Sequence, residues 1–207
     1  MLANGDRRSY SIATPPAAAG LIALELHIRH TLGGAFTDPL FNGEVKVGQI
    51  LHFEAPLGTF HLREESDKPI VFLASGTGFA PIKAIVEYMI HRKITRPATL
   101  YWGGRRRPDL YMDELASRWA AEWPQMKYVP VLSEAAPEDK WQGRCGFVHR
   151  SVMQDFPDLS GHQVYACGAP VMVESARTDF TQKCGLPEGE FFADSFLTQA
   201  ELAHTMV

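Results

Sequence analysis

Cysteine is scarce in this chain: Cys145, Cys167 and Cys184 are the only three in 207 residues. That supply builds no disulfide framework and cannot hold a four-cysteine iron–sulfur cluster. Metal-ligand spacing is also missing. Among the eight histidines there is no HExxH, and the closest pair, His27 and His30, has no acidic ligand at metal spacing. No metal site is expected. Excess charge is small: 20 Lys+Arg against 24 Asp+Glu leave a net charge of −4, so there is no global basic field for nucleic acid. Long apolar runs are absent too. The stretch from Ile70 to Ile90 is interrupted by Ser75, Lys83 and Glu87 and by glycines, and cannot span a bilayer. Met1 runs into Arg7-Arg8 without an apolar segment, so no signal peptide is expected. These absences lead to the expectation of a soluble, cytoplasmic protein with neither nucleic-acid nor membrane partners.

What is present is an ordinary globular composition, 45% hydrophobic and 21% charged. A chain of 207 residues makes one large domain, or one domain and a remainder. The periodicity changes near residue 69. Before it, Ser9–Ala13, Leu21–Arg29, Val45–Ala55 and Phe60–Leu62 are strand-like pieces separated by Gly and Pro, a pattern of antiparallel β structure. So few strands are marginal unless they pack on something. Arg63–Lys68 is the expected linker. After Pro69, short apolar runs alternate with helical patterns, which implies βαβ crossovers and a parallel sheet. Strands are expected at Ile70–Ala74, Thr99–Trp102, Tyr128–Leu132, Val164–Cys167 and Glu190–Ala193. Helices are expected at Ala80–Arg92, Leu110–Trp123, Val148–Phe156 and Val171–Lys183. The fold class is therefore α/β: a doubly wound nucleotide-binding domain at residues 67–207, preceded by a partial antiparallel β-barrel at residues 1–66.

Ligands of such sheets sit beyond the carboxyl ends of the strands. The first strand ends in Ser75-Gly76-Thr77-Gly78-Phe79-Ala80-Pro81, whose glycines admit a pyrophosphate to a helix N-terminus. A glycine turn that only packs strand on helix is the plainer reading; strand–turn–helix context favours nucleotide binding. The second strand ends in Gly103-Gly104-Arg105-Arg106-Arg107. The acidic residue of an NAD site is not found there, and the arginines suit a 2′-phosphate or a solvated turn equally, leaving NADH versus NADPH unresolved. Cys167-Gly168-Ala169-Pro170 faces the same sheet edge, with Cys167 either a functional thiol or a small core residue. No Ser/His/Asp or Cys/His arrangement supports hydrolysis.

Taken in order, Arg8-Ser9-Tyr10-Ser11, Gly34-Ala35-Phe36-Thr37, Gly76-Thr77-Gly78-Phe79-Ala80-Pro81, Cys167-Gly168-Ala169-Pro170 and Asp194-Ser195-Phe196 resemble the ferredoxin–NADP reductase superfamily. Gly103-Gly104-Arg105 and Trp141-Gln142-Gly143-Arg144 are similar to its bacterial oxygenase-reductase branch, which includes CDP-6-deoxy-delta-3,4-glucoseen and phenol-hydroxylase-type reductases. The resemblance implies FAD and NADH or NADPH as cofactors, hydride transfer between them, and electron delivery to an iron–sulfur acceptor. It implies that Arg8 holds the FAD pyrophosphate, Tyr10 stacks on the flavin, and Ser11 lies near flavin N5. Gly34 and Thr37 would give donors to the FAD phosphates. Gly76, Thr77, Gly78 and Pro81 would form the nucleotide turn, with Arg105 and Gly168 also on the NAD(P)H. Cys167 would lie beside the nicotinamide, Asp194 would be the active-site acid, and Phe196 would cover the flavin. The family places about half a barrel, and in the nearest likenesses an iron–sulfur domain, before the Arg-x-Tyr-Ser strand. Two further expectations follow: a non-catalytic nucleotide-binding module, or a subunit whose flavin site is completed by a partner chain.

Overall fold

Uninterrupted apolar runs become the inner strands. In the computed structural model, which describes residues 7–16 and 23–196, Ile70–Ser75 (β1) is buried from Ile70 through Ala74. This is the signature of a parallel strand covered on both faces. Ala98–Gly104 (β2) and Gln163–Gly168 (β5) are buried along almost their whole length. Met126–Leu132 (β3), the two-residue Arg144–Cys145 (β4) and Phe191–Ser195 (β6) complete a six-stranded sheet in the order β4-β3-β2-β1-β5-β6. All its pairings are parallel. The chain moves outward from β1 to β4, then crosses back to lay β5 against the free side of β1. The strand order thus reverses between β1 and β5, which opens a crevice at their carboxyl ends.

Helices cover both faces. Phe79–His91 (α2) and Asp113–Glu122 (α3) bury Ile82, Ile85, Val86, Met89 and Trp119 on one side, in a core shared with Leu62 of the preceding segment. Val148–Asp155 (α4) and Pro170–Lys183 (α5) bury Val148, Val152, Val173, Ala176 and Phe180 on the other. The expected elements of this half all form, with no end shifted by more than three residues. Strand β4 was not foreseen, because two residues carry no periodicity.

The segment before residue 70 is thinner than its alternation suggests. Among the described residues its antiparallel pairing is the bridge between Ile12 and Leu26, with the Ala13 amide donating to the Glu25 carbonyl at 2.8 Å. Val45–Ala55 and Phe60–Leu62 carry no ladder, and a short helix, Thr37–Phe41 (α1), follows the second glycine-rich loop. The physical reason is the one given for small sheets: a strand without neighbours on either side has nothing to pair with. Leu32, Val47, Ile50, Phe53 and Leu57 stay exposed as a result. The start of the Leu21–Arg29 stretch, the first six residues and the tail after Phe196 lie outside the described residues. No described helix is long and apolar enough to cross a membrane, and no described cluster of three or more His, Cys, Asp or Glu side chains could hold a metal ion.

Candidate functional site

The crevice is built by glycines that let two loops touch. After β1, Gly76 takes a left-handed φ of +51° and Gly76–Gly78 form a single 3-10 turn leading into α2. A methyl group at Gly78 would overlap the Cys167 carbonyl and lie 2.7 Å from the Gly168 nitrogen. Gly168 has φ +139°, and a methyl there would lie 2.7 Å from the Ser75 carbonyl oxygen. The Ala169 amide donates to the Ser75 hydroxyl at 3.0 Å, closing the two loops on each other. The Trp102 indole N–H donates to the Gly76 carbonyl at 3.1 Å from below. Its ring stacks on Phe79, with centroids 4.0 Å apart. Gly76, Thr77 and Gly78 thus form a fixed rim around the start of α2, where the first N–H groups lack intrahelical acceptors and the dipole is positive. Pro81, buried in that first turn, sits where a missing N–H is harmless. This is a cradle that fits a pyrophosphate.

Four groups named from the sequence meet on the β5–β6 side of the crevice. Cys167 on β5 is paired in register with Asp194 on β6. The Cys167 thiol is fully buried, and burial first, then the Asp194 charge, raises its pKa well above the ordinary range. It stays a neutral thiol. The Ser11 hydroxyl donates to an Asp194 carboxylate oxygen at 3.1 Å, across 183 residues of sequence. Phe196 continues from β6, its amide bonded to the Gly168 carbonyl at 3.0 Å and its ring half-buried against the core beneath α2.

The remaining groups extend from Ser11. Tyr10 is next in sequence and half-buried, its ring 5.7 Å from that of Phe36 in the second glycine-rich loop. Burial raises its phenol pKa, partly offset by the Arg8 guanidinium. Arg8 also donates to the Arg7 carbonyl at 2.8 Å. A methyl at Gly34 would lie 2.8 Å from the Thr31 carbonyl oxygen. The Thr37 hydroxyl donates to that carbonyl at 2.8 Å, so its hydrogen shapes the loop. The Asp38 amide donates back to the Gly34 carbonyl at 2.9 Å, closing the loop onto the start of α1. Arg8, Tyr10 and the Gly34–Thr37 loop form one surface, joined through Ser11 to the crevice. The aromatic faces and the guanidinium suit a flavin dinucleotide.

Arg105 lies apart, at the end of β2, where acids gather. Its amide and that of Arg106 donate to the Asp109 carboxylate at 2.9 and 3.0 Å. The Arg106 guanidinium is held by Asp139 and Glu138, each at 2.6 Å. Glu134 stands 3.8 Å from the Arg105 guanidinium. Neighbouring sequence alone hid these acids: Glu134, Glu138 and Asp139 come from the loop after β3.

Sequence reasoning also missed a knot of polar groups around the buried Lys83 beside the site. The Lys83 ammonium donates to the Ala13 carbonyl at 3.2 Å, Glu25 at 3.1 Å and Glu87 at 3.0 Å. Glu25 also meets His27 Nε2 at 2.8 Å, and His27 Nδ1 meets the Tyr111 hydroxyl at 2.6 Å. The available signal was a lysine interrupting the apolar face of α2.

Comparison with known proteins agrees with this geometry. The Oxidoreductase FAD-binding domain family matches residues 3–62, and the Oxidoreductase NAD-binding domain family matches residues 72–178. The chain is 46% identical over 197 residues to the CDP-6-deoxy-L-threo-D-glycero-4-hexulose-3-dehydrase reductase of Yersinia pestis, covering 95% of this chain and 57% of that protein. It is 35% identical over 205 residues to reductase component 1 of terephthalate 1,2-dioxygenase from Comamonas, covering 98% of this chain and 59% of the relative. Among solved structures, a cytochrome P450 reductase from Amycolatopsis superposes with a TM-score of 0.78 at 32% identity, covering 94% of this chain and 57% of that one. The chain therefore spans somewhat more than half the length of these relatives.

Proposed function

The chain belongs to the oxidoreductases that join an FAD-binding to an NAD-binding domain, and on that premise we propose that it passes hydride from NADH to FAD and delivers electrons to an iron–sulfur acceptor carried elsewhere. Bound flavin supplies the conversion of a two-electron hydride into single electrons; the protein supplies binding and orientation. In this reading residues 1–66 serve the flavin and residues 67–207 the nicotinamide nucleotide, in the cytoplasm. Gly76, Thr77, Gly78 and Pro81 hold the nucleotide pyrophosphate at the start of α2, and Gly168 gives it room. Arg8, Tyr10, Gly34, Thr37 and Phe196 hold the flavin. Cys167, a neutral buried thiol, forms the wall behind the nicotinamide, and Asp194 orients the Ser11 hydroxyl toward the flavin. The observation that carries this reading is the Ser11–Asp194 hydrogen bond, which brings the Tyr-Ser strand to the crevice mouth beside Cys167.

The test is the visible spectrum of the purified chain given FAD. Yellow protein whose flavin bands bleach on adding NADH supports the reading. Protein that takes up no FAD under any condition sinks it. A second reading has an observation of its own: Leu32, Val47, Ile50, Phe53 and Leu57 expose apolar side chains that a completed barrel would cover. In that case flavin uptake returns only when a polypeptide supplying the remaining strands is added.

The acids around Arg105 and Arg106 support NADH over NADPH. A 2′-phosphate needs an unspent arginine, whereas Arg106 already holds two carboxylates and Glu134 faces Arg105. We expect kcat/KM for NADH to exceed that for NADPH by about 100-fold, the ~2.7 kcal/mol of an unmet phosphate beside carboxylates. The double variant Glu138→Gln/Asp139→Asn releases Arg106 and is expected to narrow that ratio to about 10-fold or less. Steady-state kinetics with both nucleotides decides it, and equal use of the two by the wild type refutes the assignment.

A further inference from the structure

Lys83 has no part in the chemistry just described, yet it is among the most buried charged side chains of the molecule, 5% exposed. It stands in α2 two residues after Pro81, above the nucleotide turn. An ammonium has three hydrogens to give, and Lys83 gives them to three different segments: the Ala13 carbonyl, Glu25, and Glu87 on its own helix. The first two acceptors belong to one unit. The Ala13 amide donates to the Glu25 carbonyl at 2.8 Å, the Glu25 amide donates to the Thr14 hydroxyl at 2.7 Å, and Ile12 bridges Leu26. Holding Ala13 and Glu25 therefore holds both members of this short pair. Ser11 lies two residues upstream of Ala13, a strand distance of roughly 7 Å, and there it donates to Asp194.

We propose that Lys83 is a positioning residue for hydride transfer: it pins the Ala13–Glu25 pair to α2 and so holds the Ser11 hydroxyl on Asp194, in register with the nucleotide turn of the same helix. The reasoning is geometric. Ser11 comes from a segment that, among the described residues, has a single bridge of its own, which cannot fix a side chain to within an ångström. The partner carboxylate stands on a rigid, buried sheet. The Lys83 ammonium turns that loose segment into part of α2, and α2 begins at the pyrophosphate cradle. His27 supports the arrangement from the side, bonded to Glu25 and to Tyr111 and stacked on Phe79 at 6.2 Å.

This inference rests on the flavin and nicotinamide reading above, and its test separates the two. In the flavin-free full chain, hydrogen exchange read by mass spectrometry is expected to quicken at least about 10-fold at residues 7–16 and 25–28 in Lys83→Met, with β1 and β5 unchanged. In the flavin-loaded chain, the rate of flavin reduction at saturating NADH is expected to fall about 30-fold, with KM changed less than about threefold, since the turn itself is untouched. Glu25→Gln removes the anchor from the segment side without leaving an unpaired buried ammonium, because Glu87 remains; it is expected to move both readouts in the same direction by a smaller factor. That variant carries the test if Lys83→Met does not fold. Unchanged exchange at residues 7–16 overturns the proposal. Faster exchange with an unchanged reduction rate also overturns it, leaving a structural lysine. A wild type that binds no flavin counts against the cofactor reading, while the exchange measurement still decides whether Lys83 holds the Ser11 segment.

Discussion

Gly78→Ala is expected to abolish useful nucleotide binding, raising KM for NADH at least about 30-fold and lowering stability by about 1–3 kcal/mol. The reason is not backbone conformation. Gly78 has φ −58°, open to any residue. Its added methyl would overlap the Cys167 carbonyl, which belongs to a buried central strand paired on both sides and cannot yield. Overpacking of that kind costs about 1–3 kcal/mol. Relief comes only by lifting the turn off β5, which carries the start of α2 away from the pyrophosphate. A displacement of ~1 Å at a positioning element can cost about 100-fold. Gly76→Ala is the matched control. Its φ of +51° makes alanine pay about 1–2 kcal/mol for a left-handed backbone, but its methyl meets nothing within 4 Å and the turn stays seated. Titration with NADH and urea denaturation of both variants separate the cases: Gly76→Ala loses stability through its left-handed backbone and loses affinity by a smaller factor, whereas Gly78→Ala loses both in full. Wild-type affinity in Gly78→Ala would mean that the pyrophosphate does not depend on this turn.

The contrast between the two glycines also marks what could be read without coordinates. The nucleotide half was legible because its signals are local. Ile70 to Ala74 is a continuous apolar run, Ile82, Ile85, Val86 and Met89 fall on one helical face, and each strand ends in glycine or in a turn. That the two glycine loops, Gly76–Gly78 and Gly168, press on each other across the reversal of strand order is a consequence of topology. The motif order anticipated the meeting of Ser11 with Asp194 only through resemblance to a family; nothing in either segment alone requires it. Before residue 67 the described residues form less ladder than their pattern suggests. Their alternation is genuine strand patterning, yet alternation specifies a face, and pairing needs a neighbour on each side. Lys83 and Arg96 were illegible for a third reason. Their acceptors include backbone carbonyls, Ala13 for one and Arg63 and Lys68 for the other, and every residue type has a carbonyl. An acceptor carried by every residue leaves no mark in the sequence.

Arg96→Met is expected to destabilise the protein by about 2–4 kcal/mol and to lower its melting temperature by on the order of 10 °C, for a chain of this size. Arg96 is buried just ahead of β2, and its guanidinium serves the linker rather than the crevice. Nε donates to the Lys68 carbonyl at 2.9 Å, Nη1 to the Arg63 carbonyl at 2.9 Å, and Nη2 to both the Lys68 carbonyl and the Gln163 side chain at 2.6 and 2.8 Å. The two ends of the expected linker are thereby fastened to β5 at the end of the sheet away from the crevice. The Arg63 amide adds a bond to the Tyr165 hydroxyl at 2.9 Å on the same strand. Methionine keeps the aliphatic stem of the side chain while removing every donor. Buried acceptors left without partners cost about 1–3 kcal/mol each, offset by the burial of a charge that the variant no longer has to desolvate. That offset is why the expected loss is well below the sum of the bonds. Arg96→Lys keeps the charge but lacks the planar fork that serves two carbonyls and an amide at once, so it should recover less than half of the lost stability. Because β1 continues directly from this linker, the denaturant dependence should stay two-state, with an unchanged slope and an earlier midpoint. A melting temperature within about 2 °C of wild type in Arg96→Met would show that the linker is held by its apolar neighbour Leu62, and that the guanidinium is not what joins the preceding segment to the sheet.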